Sequence, residues 1–438
     1  MAEVRPFRGL RFDPEVVGDL GRVLAPPYDV VDQEREAALR DSSPFNAVWV
    51  ERGAYAEGDV DRYPGSARTL VGWRESGALV RDTAPSFYLV EDEFTHEGRQ
   101  VTRTELMGLA QLTPWSEGLV LPHENTRGGP KRDRLDLMRA VNANLSPLMA
   151  LYSDAGGAVK RAVEEGRPST SDQVTAADGN KFRVSVITGD GADAVARTVS
   201  SAGSLYVADG HHRYETALDF RAEAKAAGWS GNAIDHVMVS LVSIEDEGLI
   251  SLPYHRMLSG LSAEASGRFA RQMDVYFESE RIDVGSATVI DVLERFWERS
   301  KSAKGPILAV LDKEDVGTMR FLRPRGGREE FVGLMHGRSA AWSKLSPCVF
   351  EDVLLRPSLG MNQLEAEAAG FFSYPSSAEE AVTSVREGSR DYAVLLDGVS
   401  LRGMTEASEQ GERLPPKSTF FYPKLPTGIV FNTLEGDI

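Results

Sequence analysis

Cysteine is almost missing from this chain of 438 residues: Cys348 is its single example, which excludes an intrachain disulfide and any multi-cysteine metal site. Cys348 has no basic neighbour nearer than Lys344, so it is read as filler for a small apolar gap between Pro347 and Val349, not as a nucleophile. No apolar run reaches the ~18 residues of a membrane helix. Met1 to Arg11 lacks an apolar signal segment, and the expectation is a cytoplasmic protein without a membrane partner. Repeats and low-complexity tracts are absent, as are a P-loop, a protein-kinase signature, a nucleophile elbow and a zinc-protease helix. Positive charge is also scarce. Against 66 Asp and Glu stand 49 Lys and Arg, a net −17, and such a surface repels nucleic acid. A small phosphorylated ligand remains open where the chain is locally basic, at Arg127, Lys131, Arg132 and Arg134 and at His211 to Arg213.

The chain does have an ordinary globular composition, 42% apolar and 26% charged, with a length that implies two or three domains. Its richest stretch is Leu205 to Leu218. Leu205 to Ala208 reads as a buried strand, Gly210 as a sharp turn, and Tyr214, Ala217 and Leu218 as the start of a helix ending near Gly228. A strand, a glycine turn and a helix leave backbone donors and a positive dipole end above the turn, which suits an anion.

Other elements follow from pattern. Arg5 to Phe12 reads as a strand, Ala25-Pro-Pro-Tyr-Asp29 as a rigid turn, and Gln33 to Arg40 and Tyr63 to Gly77 as helices. Ser86 to Phe94 and Val101 to Leu112 alternate like paired strands around a turn at His96 to Gly98. After Leu119 to Thr126 come a basic Gly/Pro loop and a helix from about Lys131 to Asn144. His236 to Ile244 is apolar throughout, the mark of a strand covered on both faces. Strands and helices interleave to the end, so the class is mixed α and β.

Asp209 to Arg213 admits three readings. As a phosphate cradle it offers backbone donors, the Arg213 fork and the imidazoles of His211 and His212. As a metal site it is weaker, because one short motif cannot complete a coordination sphere. As a structural turn it would bury Asp, His and Arg together, which is costly unless they pair. Glu124, beside His123, is either a general base for a hydroxyl nucleophile, a cap for the coming helix, or a partner of Arg127. Asp29 and the pair His255-Arg256 are second-tier candidates.

The string Asp209-Gly-His-His-Arg213 after a strand resembles the signature turn of the ParB/sulfiredoxin superfamily, whose members bind nucleotide phosphates there. Within it the likeness is to the free serine kinases. Pro122-His123-Glu124 is similar to their Pro-His-Glu, whose glutamate is the catalytic base, and Gly411-Glu412 with Pro416-Lys417-Ser418-Thr419 is similar to their C-terminal segment. The chain as a whole also resembles a large bacterial family carrying Ala-Pro-Pro-Tyr-Asp-Val, His-Glu-Asn-Thr, Asp-Gly-His-His-Arg and a terminal Tyr-Pro-Lys. Sulfiredoxin's own reaction is not available, because its catalytic cysteine would fall at His211.

The resemblance implies an α+β fold. A ParB/sulfiredoxin-like core at 116–262 would be flanked by an α/β portion at 1–115 and another at 263–438 that contributes to the site. It implies a kinase that moves the terminal phosphoryl group of ATP or ADP to free L-serine. Glu124 would be the base, with His123 and Asp209 also catalytic. Gly210, His211, His212, Arg213, Arg127 and Lys131 would hold phosphates. Lys417, Ser418 and Thr419 would meet the substrate, and Asp209 would position Mg²⁺. A homodimer is compatible with this picture. The alternatives are a ParB-like nucleotide switch or NTPase, and a phosphoserine phosphatase.

Overall fold

The two alternating segments form one long hairpin, Ser86–His96 and Arg99–Gln111, in a computed structural model that describes residues 1–53, 63–126, 128–303, 305–325, 335, 337–375 and 377–438. Glu97 and Gly98 both take positive φ, 46° and 74°, as a two-residue turn matched to strand twist requires. Successive residues of the hairpin enter opposite cores. Tyr88, Val90, Met107 and Leu109 join Trp73, Leu137 and Phe431 in one cluster, whereas Phe87, Leu89, Leu106 and Ala110 join Val195, Tyr214 and Ala217 in the other. Each such fully buried apolar side chain contributes about 1.5–3 kcal/mol.

The hairpin lies inside a nine-stranded sheet, counted among the described residues. Its order runs Val120–Pro122, Leu205–Asp209, Leu148–Tyr152, His236–Ser243, Arg99–Gln111, Ser86–His96, Lys181–Thr188 and Asp172–Thr175, with Val4–Arg5 also on Arg99–Gln111. Two pairings are parallel: Leu205–Asp209 with Val120–Pro122, and His236–Ser243 with Leu148–Tyr152. The class is therefore mixed α and β, as the sequence indicates.

The described chain divides into two compact units. One holds Met1–Pro122, Thr126–Ile250 and Pro423–Ile438; the other holds His123–Asn125 and Ser251–Tyr422. These boundaries do not follow the division at 115 and 262. Strands from either side of 115 are sheet neighbours, and the C-terminal segment returns to the first unit, where Phe431 bridges Leu10 and Asn432 pairs with Asn144. Pairings of such long range leave no mark on local composition.

The second unit has its own antiparallel sheet, ordered Phe277–Asp283, Asp315–Pro324, Leu308–Asp312, Tyr392–Leu396, Arg256–Leu258 and Phe372–Ser373. Helices Val289–Ser302 and Ala378–Arg386 pack Phe296, Val382 and Val385 against Phe321 and Leu395. Cys348 is fully buried here, and burial holds its thiol well above the usual value, in keeping with a packing role.

Several elements differ from expectation. Arg5 to Phe12 is interrupted, giving strands only at Val4–Arg5 and Leu10–Phe12. Asp172–Thr175 and Phe277–Asp283 are strands with no apolar alternation to announce them; both lie at sheet edges, where polar side chains are the norm. From Gly128 onward the basic segment is already helical, in a helix that runs to Val141. No helix among the described residues is long and apolar enough to cross a membrane.

Candidate functional site

In the first unit the strand Leu205–Asp209 ends with its register shifted between Val207 and Asp209 against Leu148–Tyr152. Gly210 then takes φ 91° and caps the helix His211–Ala226. His211, His212 and Arg213 are thus the first turn of that helix and not part of an extended segment. Glycine is required twice over: by the left-handed backbone, and because a Cβ would sit 2.9 Å from Arg213 Nε and 3.0 Å from Leu148 Cδ2. Tyr214, fully buried, fixes the helix by accepting from the Thr113 N–H and donating to the Thr113 carbonyl.

Arg213 folds back over the turn. Its Nη2 donates to Asp209 Oδ2 at 2.6 Å, while Nη1 reaches Ser146 Oγ and the Pro147 carbonyl. The other Asp209 oxygen, Oδ1, lies 3.4 Å from Lys424 Nζ, and the same ammonium is 2.5 Å from Asp29 Oδ2. Three separated stretches of sequence therefore meet, at Asp29, at Asp209 with Arg213, and at Lys424. The charges of Arg213 and Arg134 also act on Tyr28, whose hydroxyl burial raises above its usual value. Arg134 stacks 4.0 Å over the Tyr28 ring and pairs with Glu51 and Asp133.

Not every expected phosphate ligand joins this group. Lys131 bonds Asp219 at 2.9 Å and lies 3.8 Å from Glu215, ties that raise its pKa and bridge two helices. Arg127 lies outside the described residues. His211 is buried and His212 half-buried at the helix start. Sequence reasoning left out Lys424 and Tyr28. Both sit in motifs that were visible, but nothing local to them says what they meet; Arg134, singled out only as part of a locally basic segment, gives no local sign of its stacking on Tyr28.

The second unit carries the candidate base. Glu124 forms a parallel bridge with Leu414, and its carboxylate accepts three consecutive backbone N–H groups. Lys417 N–H reaches Oε2 at 3.3 Å; Ser418 and Thr419 N–H reach Oε1 at 2.9 and 3.3 Å. Lys417 has φ 59°, which turns these amides into one concave cradle for an anion. His123 Nε2 is 2.8 Å from Thr419 Oγ1, which is itself 3.5 Å from Glu124 Oε1. The side chains of the expected substrate residues have other partners: Ser418 Oγ donates to the Pro415 carbonyl, and Lys417 Nζ lies 4.9 Å from the Tyr254 ring centroid.

Beneath this turn sits Arg256, fully buried, donating to the carbonyls of Tyr254, His255 and Lys417. His255 accepts the Leu396 N–H at Nδ1; burial and the Arg256 charge push its pKa down to about 3, so the ring is neutral.

The mixed α+β chain thus has one glycine turn beside an Asp–Arg–Lys cluster and another turn whose amides hold a glutamate. The chain belongs to the family described as "Protein of unknown function (DUF1015)", whose model matches residues 4–343. No curated protein matches it. Solved structures similar to it include a free serine kinase in complex with AMP, at 12% identity and TM-score 0.36, covering 75% of this chain and 88% of that one. Another is SbnI with C-terminal truncation from Staphylococcus aureus, at 11% and 0.38, covering 74% and 86%. A conserved hypothetical protein from Pyrococcus furiosus is similar at 13% and 0.37, covering 74% and 94%.

Proposed function

We propose that this protein is a small-molecule kinase that transfers the terminal phosphoryl group of ATP or ADP to the hydroxyl of free L-serine, giving O-phosphoserine. The observation that supports this reading most is a strand pairing. Val120–Pro122 and Leu205–Asp209 are parallel neighbours with Pro122 opposite Val207, and the chain leaves them as His123-Glu124 and as Gly210-His-His-Arg213. Phosphoryl transfer depends on alignment and charge neutralisation, so an oriented carboxylate and an arginine at a helix start are apt parts.

In this reading Glu124 takes the proton of the acceptor hydroxyl. That oxygen bonds to the terminal phosphorus as the bond from phosphorus to the bridging oxygen breaks, and the nucleotide leaves one phosphate shorter. Arg213 and the helix start hold the donor phosphates. His123, through Thr419 Oγ1, orients the base, and the Lys417 ammonium meets the acceptor's carboxylate. A resident magnesium on Asp209 does not fit. Both Asp209 oxygens face cations, and no cluster of three or more His, Cys, Asp or Glu able to hold a metal occurs among the described residues. Mg²⁺ is instead part of the substrate, carried on the nucleotide phosphates.

The test is O-phosphoserine formation from L-serine with Mg-ATP or Mg-ADP, followed by mass spectrometry, with Glu124→Gln as control. Product from wild type and none from the variant is the expected result. Nucleotide binding without product from any donor would transfer the weight to a ParB-like switch.

A further inference from the structure

We propose that Lys424 is a phosphate-binding residue of the same site and that Asp29 and Asp209 hold it in place until an anion arrives; this rests on the nucleotide reading above. The lysine is built in, not dangling. Its side chain is 11% exposed, and its segment is fixed by reciprocal backbone bonds between Ala25 and Thr427, at 3.0 and 2.8 Å. Pro26 and Pro27 stiffen the facing strand end, and Asp29 follows in a short 3-10 turn, Tyr28–Val30.

Lys424 and Arg213 face Asp29 and Asp209, so each cation is held by a carboxylate whose place a phosphate oxygen can take. Of the lysine's ion pairs with Asp29 and Asp209, the one to Asp209 is the longer, at 3.4 Å. A phosphate that reaches Arg213 competes with Asp209 for both cations, and an ammonium with three donors on a flexible stem can change acceptors without moving the backbone. The same lysine lines a cavity of about 420 Å³ together with Leu24, Pro26, Leu39, Asn46 and Phe182, a volume of small-ligand size. Asp29, Asp209 and Arg213 are not part of that lining, so the cavity offers a ligand's body room beside the lysine alone.

The experiment is calorimetric titration of ADP, ATP and inorganic pyrophosphate into full-length wild type, K424M, K424R and Asp29→Asn, each checked by thermal unfolding. Loss of one charged contact weakens K424M by about tenfold for all three ligands, and K424R stays within about threefold of wild type. Asp29→Asn removes a competing carboxylate and tightens pyrophosphate binding severalfold, a gain that a merely structural role for the pair cannot produce. That variant carries the test if K424M does not fold. Unchanged affinities in K424M, or in Asp29→Asn, overturn the proposal. Wild type that binds pyrophosphate but no nucleotide, with the binding lost in K424M, keeps Lys424 as an oxyanion residue and overturns the kinase reading alone. Wild type that binds none of the three overturns both.

Discussion

Two turns in this molecule take a left-handed residue at their apex, and they are built by different means. The turn at Gly210 opens the helix His211–Ala226 with φ 91° on a glycine, and the side chain of Arg213 closes over it onto Asp209. The turn at Lys417 opens no helix. It puts φ 59° on a lysine, and its three amides are filled by the Glu124 carboxylate. A lysine in the left-handed region costs about 1–2 kcal/mol, which charge-assisted bonds to a carboxylate offset. The first turn therefore lies under the cover of a side chain, whereas the second has turned its donors to a protein carboxylate. In the proposed kinase, one turn serves the ligand and the other serves the base.

The largest expected effect separates these roles. Glu124→Gln keeps an acceptor oxygen for the amides but cannot take a proton, so turnover falls roughly a thousandfold while nucleotide affinity stays within about threefold. Steady-state product formation and calorimetry read the two quantities. Loss of both together would mean that the second turn also governs nucleotide binding.

Next in size is a pH effect under the second turn. His255 has a folded pKa depressed to about 3 by burial and by Arg256. The unfolded chain binds a proton there first, so its contribution to stability is present above about pH 6.5 and is lost as pH falls toward 3. By pH 4.5 the loss is about 2–3 kcal/mol. Asp397, raised by burial to about 6, has the opposite sign: its contribution is present at low pH and lost as pH rises through 6. The difference between wild type and His255→Asn in urea unfolding at pH 7 and pH 4.5 therefore isolates the histidine. Equal losses in both proteins would place the turn's support elsewhere.

At the first turn, Gly210→Ala adds a methyl to a left-handed position beside Arg213 and Leu148. The expected cost is about 2 kcal/mol of stability, seen as a lower unfolding midpoint, with weaker ADP binding because Arg213 must leave its place. Unchanged ADP affinity at lowered stability would detach Arg213 from the phosphate role.

The sequence carried much of this, and its failures have causes. The helix starting beyond Gly210 and the strand His236–Ser243, buried as far as Val242, were legible because periodicity and apolar runs are local properties. Glu124 and the 417–419 turn could be singled out by resemblance, but their mutual bonding, across almost 300 positions, could not. Lys424 was missed for the same reason: a Tyr-Pro-Lys near the end of the chain says nothing about Asp29 or Asp209 until the C-terminal segment is seen to return to the first unit. Within the basic stretch, the pairing of Lys131 with Asp219 between two helices is equally a long-range contact that its local sequence does not announce.

The smallest effect bears on what the second turn does beyond aiming Glu124. Lys417→Gly removes the left-handed strain and the cation–π contact with Tyr254 together, so stability should stay within about 1 kcal/mol of wild type. The amides that hold Glu124 belong to the backbone and survive the change, which predicts a nearly unchanged kcat. The ammonium does not survive, and if it meets the acceptor's carboxylate the KM for serine rises about tenfold. A fall in kcat at constant KM would show instead that the lysine holds the turn in shape, and the acceptor's carboxylate would then need another partner.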